Sequence, residues 1–302
     1  LSSAASDVYK RQTKKEAEAL MDFDRVIARW PKAESAAAAW QRAAQIYAGR
    51  QDMANMAKYY EGLIQNFPKA SPAALAEAHF LLGRAAFDQG DFKSSISHMA
   101  EAKTLDPQKY GEQVNVLSVL SYHKLQDMNK LKEALETLQK ENPSAVARVP
   151  DVIPAWLGLQ AYGMKDLETA DKYMTWATQN DQLQNVKKVI WRNLAKVRLA
   201  LRKYDRALVA SNNFLKDEDQ PYRRADGMLD KASILLGLGK YADARKTAED
   251  ALALGVEGPL MASLKIVLGD ISYAEKKFDE AAKHYGVTAE LFVNDAELKP
   301  KA

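Results

Sequence analysis

A period of 37 residues constrains this chain more than any other feature. Ala170, Ala207, Ala244 and Ala281 follow one another at that interval, and three residues before each stands a large apolar side chain: Leu167, Tyr204, Tyr241 and Phe278. Two columns kept in register over four copies define a repeating unit, and a period of this length marks stacked supersecondary modules. The N-terminal half carries a similar beat in its prolines, Pro31, Pro68, Pro107 and Pro143, spaced by 37, 39 and 36 residues. Each is expected to close an amphipathic helix, because proline lacks an N–H and clashes with the preceding turn.

Within a unit, two apolar-periodic stretches flank a short turn. His79 to Asp88 carries Leu82, Ala85 and Ala86 on one face; Gly90-Asp91 turns the chain; Phe92 to Thr104 then carries Phe92, Ile96, Met99 and Ala102 at helical spacing. The glycine suits a turn that needs positive φ. Small residues let neighbouring helices approach and large ones fill the space between them. A hairpin of this kind cannot bury its apolar face alone, so each unit requires its neighbours. The tryptophans and tyrosines of the repeating slots are therefore expected in the core.

The pattern resembles the tetratricopeptide repeat, whose signature runs Trp, Leu-Gly, Tyr, then Ala, an aromatic, Ala and Pro. It stands here as Leu82-Gly83 with Gly90, Phe92, Ala102 and Pro107, and as Trp40, Ala43, Ala44, Tyr47, Tyr60, Leu63 and Pro68. Leu157-Gly158 with Ala170 and Ala177, Leu268-Gly269 with Phe278, Ala281 and Tyr285, Trp191 with Leu194, Ala195, Tyr204 and Ala207, and Ala232 with Gly239, Tyr241, Ala244, Ala248 and Ala251 match again. Gln113 to Pro143, with Val119, Tyr122, Met128 and Leu131, is the weakest unit. The resemblance implies an all-α fold, a right-handed superhelical solenoid of antiparallel helix hairpins with about seven repeats plus a half repeat. The half repeat is placed at 13–33, where Ala19, Phe23, Val26 and Pro31 look like a second helix without its first, and a short tail is placed at 294–302.

The ends are read separately. Asp7 to Gln12 spell DVYKRQ, which back-translates as GAT GTG TAT AAG AGA CAG and resembles a transposon-end sequencing adaptor. Residues 1–12 are accordingly read as an artefact, and the protein as a truncated, bacterial chain starting near Thr13. The 43 basic and 40 acidic residues are interleaved, for a formal charge of +3, so the balance demands neither nucleic acid nor a membrane surface as partner. There is no cysteine, which excludes disulfides and thiolate chemistry.

A search for catalytic or metal-binding constellations returns none in the sequence. His79, His98, His123 and His284 are read as falling in different repeats, without a carboxylate at metal-ligand spacing. Gly237-Leu238-Gly239-Lys240 lacks the spacing and the following Ser or Thr of a phosphate loop, and reads as an inter-helix turn. Asp217, Glu218 and Asp219 lack the glycine and closing glutamate of a calcium loop and read as a solvated linker. No enzyme activity and no cofactor are expected.

The resemblance further implies that first helices line a concave groove that binds peptides. Aligning the repeats gives groove pairs Gln41/Gln45, Phe80/Arg84, Val116/Leu120, Ala155/Leu159, Arg192/Lys196, Leu229/Ser233 and Ile266/Asp270. No three consecutive repeats carry the Lys and Asn set with which chaperone-binding members hold a terminal carboxylate. The stretch from Gln182 to Tyr204 holds seven basic residues and no acidic one: Lys187, Lys188, Arg192, Lys196, Arg198, Arg202 and Lys203. They fall within one half of a helical wheel, opposite Ile190, Leu194, Val197 and Leu201.

The expected partner-binding groove is thus Phe80, Arg84, Val116, Leu120, Leu159, Lys188, Arg192, Lys196, Leu229 and Ile266, and the expected partner a protein or peptide with an acidic segment. The cadence from Phe23 to Phe92 resembles repeats of bacterial outer-membrane assembly and division-associated periplasmic proteins. Periplasm or envelope is therefore the expected location, with cytoplasm as the alternative. Two other functions are kept: a regulatory or substrate-recruiting region of a longer enzyme, and nucleic-acid binding through the basic stretch 182–204.

Overall fold

The computed structural model describes residues 3–179 and 184–291. The expected tail at 294–302 and the first two residues lie outside these. Every regular element among the described residues is helical, and the chain divides into two compact units, Leu1–Val149 and Pro150–Ala302. The first unit holds α1 (Ser3–Arg29), then hairpins α2 (Glu34–Gly49) with α3 (Met53–Asn66), α4 (Pro72–Asp88) with α5 (Phe92–Leu105), and α6 (Pro107–Lys124) with α7 (Met128–Glu141), closed by a 3-10 helix at Pro143–Arg148. The second unit pairs α8 (Val152–Gly163) with α9 (Leu167–Ala177), α10 (Gln184–Ala200) with α11 (Tyr204–Lys216), α12 (Pro221–Gly237) with α13 (Tyr241–Leu252), and α14 (Gly258–Ala274) with α15 (Phe278–Leu291). In each unit a helix packs on its hairpin partner and then on the next hairpin.

One turn design recurs in all seven hairpins. Where Gly90 and Gly239 take φ +82° and +71°, the other five hairpins place Gln51, Gln126, Lys165, Arg202 and Lys276 at φ between 55° and 63°. Each ends its first helix with the same pair of reversed hydrogen bonds: Gly90 N–H reaches Phe87 O and Asp91 N–H reaches Ala86 O, just as Gln126 reaches His123 and Asp127 reaches Tyr122. This left-handed cap satisfies carbonyls that the helix end leaves orphaned. The next residue opens the second helix. Asp52, Asp91, Asp127 and Asp166 each accept the backbone N–H three residues on, at 3.0–3.2 Å, a favourable N-cap. In α11 and α13 that position is Lys203 and Lys240, and neither side chain caps its helix.

The core is built from pairs sixteen residues apart, one on each helix of a hairpin. Gly83, Gly158 and Gly269 stand on first helices, and a Cβ there would fall 3.2 Å from Met99 Cγ, 2.7 Å from Met174 Cγ and 2.4 Å from the Tyr285 ring respectively. The equivalent pairs are Ala44 with Tyr60, Val119 with Leu135, Ala195 with Ser211 and Ala232 with Ala248, all buried. Five pairs set small opposite large or medium opposite medium, and Ala195/Ser211 and Ala232/Ala248 set small opposite small; all close the hairpin at interior density. The alanine column is fully inside: Ala170, Ala207 and Ala244 are 0% exposed and Ala281 2%. The large residues three positions earlier open the second helices instead and are half-buried, with Phe278 exposed.

Prolines act at both kinds of boundary. Pro31 and Pro68 fall in the turns after α1 and α3, whereas Pro107 opens α6 and Pro143 opens the 3-10 helix. At the first turn the missing N–H costs nothing, because no acceptor is available there. The weakest sequence unit accordingly begins at Pro107, not at Gln113. Helix α1 starts at Ser3, inside the stretch read as adaptor-derived, and continues without interruption to Arg29. Leu20 is buried against α2 and α3, Phe23 and Ile27 pack on the same cluster, and Tyr59 donates to Asp24 at 2.5 Å.

Candidate interaction face of the first helices

First helices lie beside one another within each unit: α4 against α6, and α8, α10, α12 and α14 in succession. Their shared face carries the predicted groove positions, and the structure gives these positions two different jobs. In the first unit, Gln41 and Gln45 on α2 donate to the Glu77 carboxylate on α4 at 2.7 and 2.9 Å, and the Tyr60 hydroxyl reaches it at 3.3 Å. Burial, then the charge of Glu77, drives the Tyr60 phenol far above its usual range. Phe80 is only 9% exposed, with its ring stacked on Tyr110 at 4.6 Å between centroids. Arg84 is exposed, and Val116 and Leu120 on α6 are half-buried.

The second unit repeats the arrangement with charges. Arg192 and Lys196, one turn apart on α10, face Asp226 and Asp230, one turn apart on α12; Arg192 pairs with Asp226, and Lys196 Nζ stands 3.7 Å from Asp230. Burial pushes the Asp230 carboxyl up to about 6 against the opposing pull of Lys196 and Arg192. The cations therefore do not fully compensate the removal of Asp230 from water. Both keep a wet side, with about a third of each side chain accessible: 32% for Arg192 and 31% for Lys196. Lys188 donates to the backbone carbonyl of Asp217. Leu159 and Leu229 are half-buried, whereas Ile266 is 8% exposed beneath Tyr285.

Three sequence expectations are corrected here. Arg198 does not belong to a basic face: it is 7% exposed, donates to Asp171 at 2.7 Å and Thr175 at 2.7 Å, and reaches the Arg206 carbonyl. Lys203 joins the same carboxylate at 3.0 Å and Glu168 at 2.7 Å. Burial disfavours the Asp171 charge, but the Arg198 and Lys203 bonds outweigh it and hold this carboxyl below its usual value. One helical wheel does not span 182–204 because α10 ends at Ala200; Arg202 lies in the left-handed turn and Lys203 at the N-terminal boundary of α11.

The acidic linker is not wholly solvated either, since Glu218 is 4% exposed and accepts the Gln220 N–H at 3.0 Å. Finally, His79 and His98 share one hairpin and touch, Nδ1 to Nδ1, at 3.0 Å. Their separation of nineteen residues conceals this, because no helical period within one helix links residues on the two arms of a hairpin. Gly239, by contrast, sits in an inter-helix turn as read. Among the described residues no helix is long and apolar enough to cross a membrane.

Comparison with known proteins bears on the same hairpins. Two family models, both described as tetratricopeptide repeat, match residues 38–70 and residues 74–110 and 229–289. These spans take in α2 with α3, α4 with α5, and most of α12 to α15. No curated protein sequence matches. Among solved structures, Naa15/Naa10 bound to HypK-THB aligns with a TM-score of 0.51 at 14% identity, over 88% of this chain and 38% of that one. The structure from the functional characterization of Pseudomonas aeruginosa pilF gives 0.40 at 18% identity over 76% and 97%, and a tetratricopeptide repeat protein from Parabacteroides merdae gives 0.36 at 14% over 93% and 97%. Repeats of this family form scaffolds for protein interaction. Seven hairpins share one turn design and four of them a buried alanine column, and in the three spans matched by the repeat's own models they are tetratricopeptide repeats.

Proposed function

We propose that the protein is a non-catalytic scaffold that takes a partner segment along its first helices, and that the α10–α12 face receives an acidic stretch of that partner. The observation that supports it is a pair of partly exposed cations held in place at this face. Arg192 and Lys196 each keep about a third of the side chain accessible while Asp226 and Asp230 hold them one turn apart. A partner carboxylate approaching from solvent meets cations already oriented by their neighbours, so little side-chain ordering remains to be done on binding. Leu159 and Leu229 offer half-buried apolar contacts on the same unit, while Val116 and Leu120 do so on the first, which also carries the exposed Arg84. Phe80 and Ile266 would form the floor beneath such contacts.

Because the two cations also join α10 to α12, reversing them to Glu would set like charges against Asp226 and Asp230. Neutral replacement is the cleaner perturbation. Arg192→Gln with Lys196→Gln should weaken partner binding about tenfold, or ~1.4 kcal/mol, with the loss shrinking at high salt. The site itself is mapped with photo-crosslinking side chains at Arg84, Leu120, Leu159 and Leu229, against controls on second helices at Lys93 and Val209. Crosslinks confined to the controls would sink the proposal. A role in bacterial envelope assembly rests on the cadence between Phe23 and Phe92. A secretion signal directly upstream in the full reading frame would support it, whereas a folded catalytic domain there would favour the recruiting region of an enzyme.

A further inference from the structure

His79 on α4 and His98 on α5 present the same ring nitrogen to each other, Nδ1 to Nδ1 at 3.0 Å, with ring centroids 5.2 Å apart and planes tilted by 44°. The hairpin builds this contact. A Cβ on Gly83 would stand 3.1 Å from His98 Cβ, so its absence lets α5 bring His98 against α4, one turn from His79. Both rings are half-buried, leaving a path from solvent. Burial holds both imidazoles below their usual pKa, against the opposite pull of Glu101 on both and of Glu61 and Asp91 on His98. A neutral imidazole has a free ring lone pair to give to a metal ion.

We infer that His79 and His98 form a binding site for a divalent transition-metal ion of the Zn²⁺, Ni²⁺ and Cu²⁺ class. Metal–imidazole bonds of about 2.0–2.1 Å put two ligand nitrogens about 2.9 Å apart at a right angle and about 3.3 Å apart at the tetrahedral angle. The spacing of 3.0 Å lies between these limits. Without metal, one Nδ1–H must donate to the other Nδ1, so the pair contains one ring of each tautomer. On binding, the donating ring moves its hydrogen to Nε2 and both Nδ1 lone pairs face the ion, with no net proton released. Among the described residues no group of three or more His, Cys, Asp or Glu could hold a metal. The pair thus supplies two ligands and water completes the sphere. Imidazole donors select Cu²⁺, Ni²⁺ and Zn²⁺, whereas Mg²⁺ and Ca²⁺ require oxygen ligands.

The test titrates CuCl₂, NiCl₂, ZnCl₂ and MgCl₂ into the untagged chain at pH 7.5, read by calorimetry. One equivalent should bind, tightest for Cu²⁺ and absent for Mg²⁺. His79→Gln and His98→Gln should each weaken binding at least tenfold, while the double variant His123→Gln, His284→Gln leaves it unchanged. A second readout avoids any folding defect of the variants: in the parent, the imidazole ¹⁵N signals of His79 and His98 should shift on adding Zn²⁺. Absence of saturable binding, retention of binding in both single variants, or movement of the His123 and His284 signals alone overturns the inference.

Discussion

Replacing single helix glycines by alanine should change stability in opposite directions, with the sign set by the neighbouring helix. In an open helix interior, alanine is favoured over glycine by about 1 kcal/mol, because glycine loses more backbone entropy on folding. Gly111 on α6 is such a site, since a Cβ there would meet nothing within 4 Å. At Gly83 the added carbon would lie 3.1–3.2 Å from His98 Cβ and from two atoms of the Met99 side chain. Small shifts of those groups would cancel most of the gain. At Gly158 it would lie 2.7 Å from Met174 Cγ and 2.9 Å from the Met174 backbone nitrogen. No rotamer change moves a backbone atom, so α9 itself must retreat from α8. Overpacking of this kind costs about 1–3 kcal/mol, and here the upper end applies. Gly111→Ala should therefore stabilise by about 1 kcal/mol and Gly158→Ala destabilise by about 2 kcal/mol, with Gly83→Ala near zero. Urea unfolding followed by far-UV circular dichroism orders the three variants. If Gly158→Ala proved as stabilising as Gly111→Ala, the close packing of Gly158 against the α9 backbone at Met174 would be refuted.

Lys240 occupies an N-cap that four other hairpins fill with aspartate, so Lys240→Asp should stabilise by about 0.5–2 kcal/mol, seen as slower amide exchange in the first turn of α13. Ala207→Leu and Ala244→Leu put a large side chain where none of the alanine surface is exposed; each should cost about 1–3 kcal/mol in a melting experiment, and parent-like melting of both would break the repeat register. Asp230 has its folded pKa raised from 3.8 to about 6, so its contribution to stability is complete below pH 3.8 and is lost as the pH rises through about 6. The stability of Asp230→Asn relative to the parent should accordingly climb by about 3 kcal/mol between pH 3 and pH 8, and a flat difference across that range would show the carboxyl to be unperturbed.

What the sequence determined by itself is the repeat and its packing slots. Ala170, Ala207, Ala244 and Ala281 could be placed in the core because the same local contact is made four times, and repetition turns one weak preference into a readable column. Leu82-Gly83, Leu157-Gly158 and Leu268-Gly269 were legible for the same reason. The Gly90 and Gly239 turns could be read because glycine advertises positive φ, whereas Gln51, Gln126, Lys165, Arg202 and Lys276 adopt it without any such signal. Tertiary structure alone decided how polar side chains are shared between hairpins. A helical wheel puts Arg198 with the other cations, yet only the position of α9 shows that Asp171 waits beneath it. Gln41, Gln45, Arg192 and Lys196 could be read as equivalent positions of the first helices, but their partners Glu77, Asp226 and Asp230 belong to the following first helix. His79 and His98 meet because Gly83 lets two helices close, not because nineteen residues separate them. Periodicity records which side of a helix is apolar; the identity of the atom facing a polar group depends on the distance and angle between helices, and no single helix encodes those.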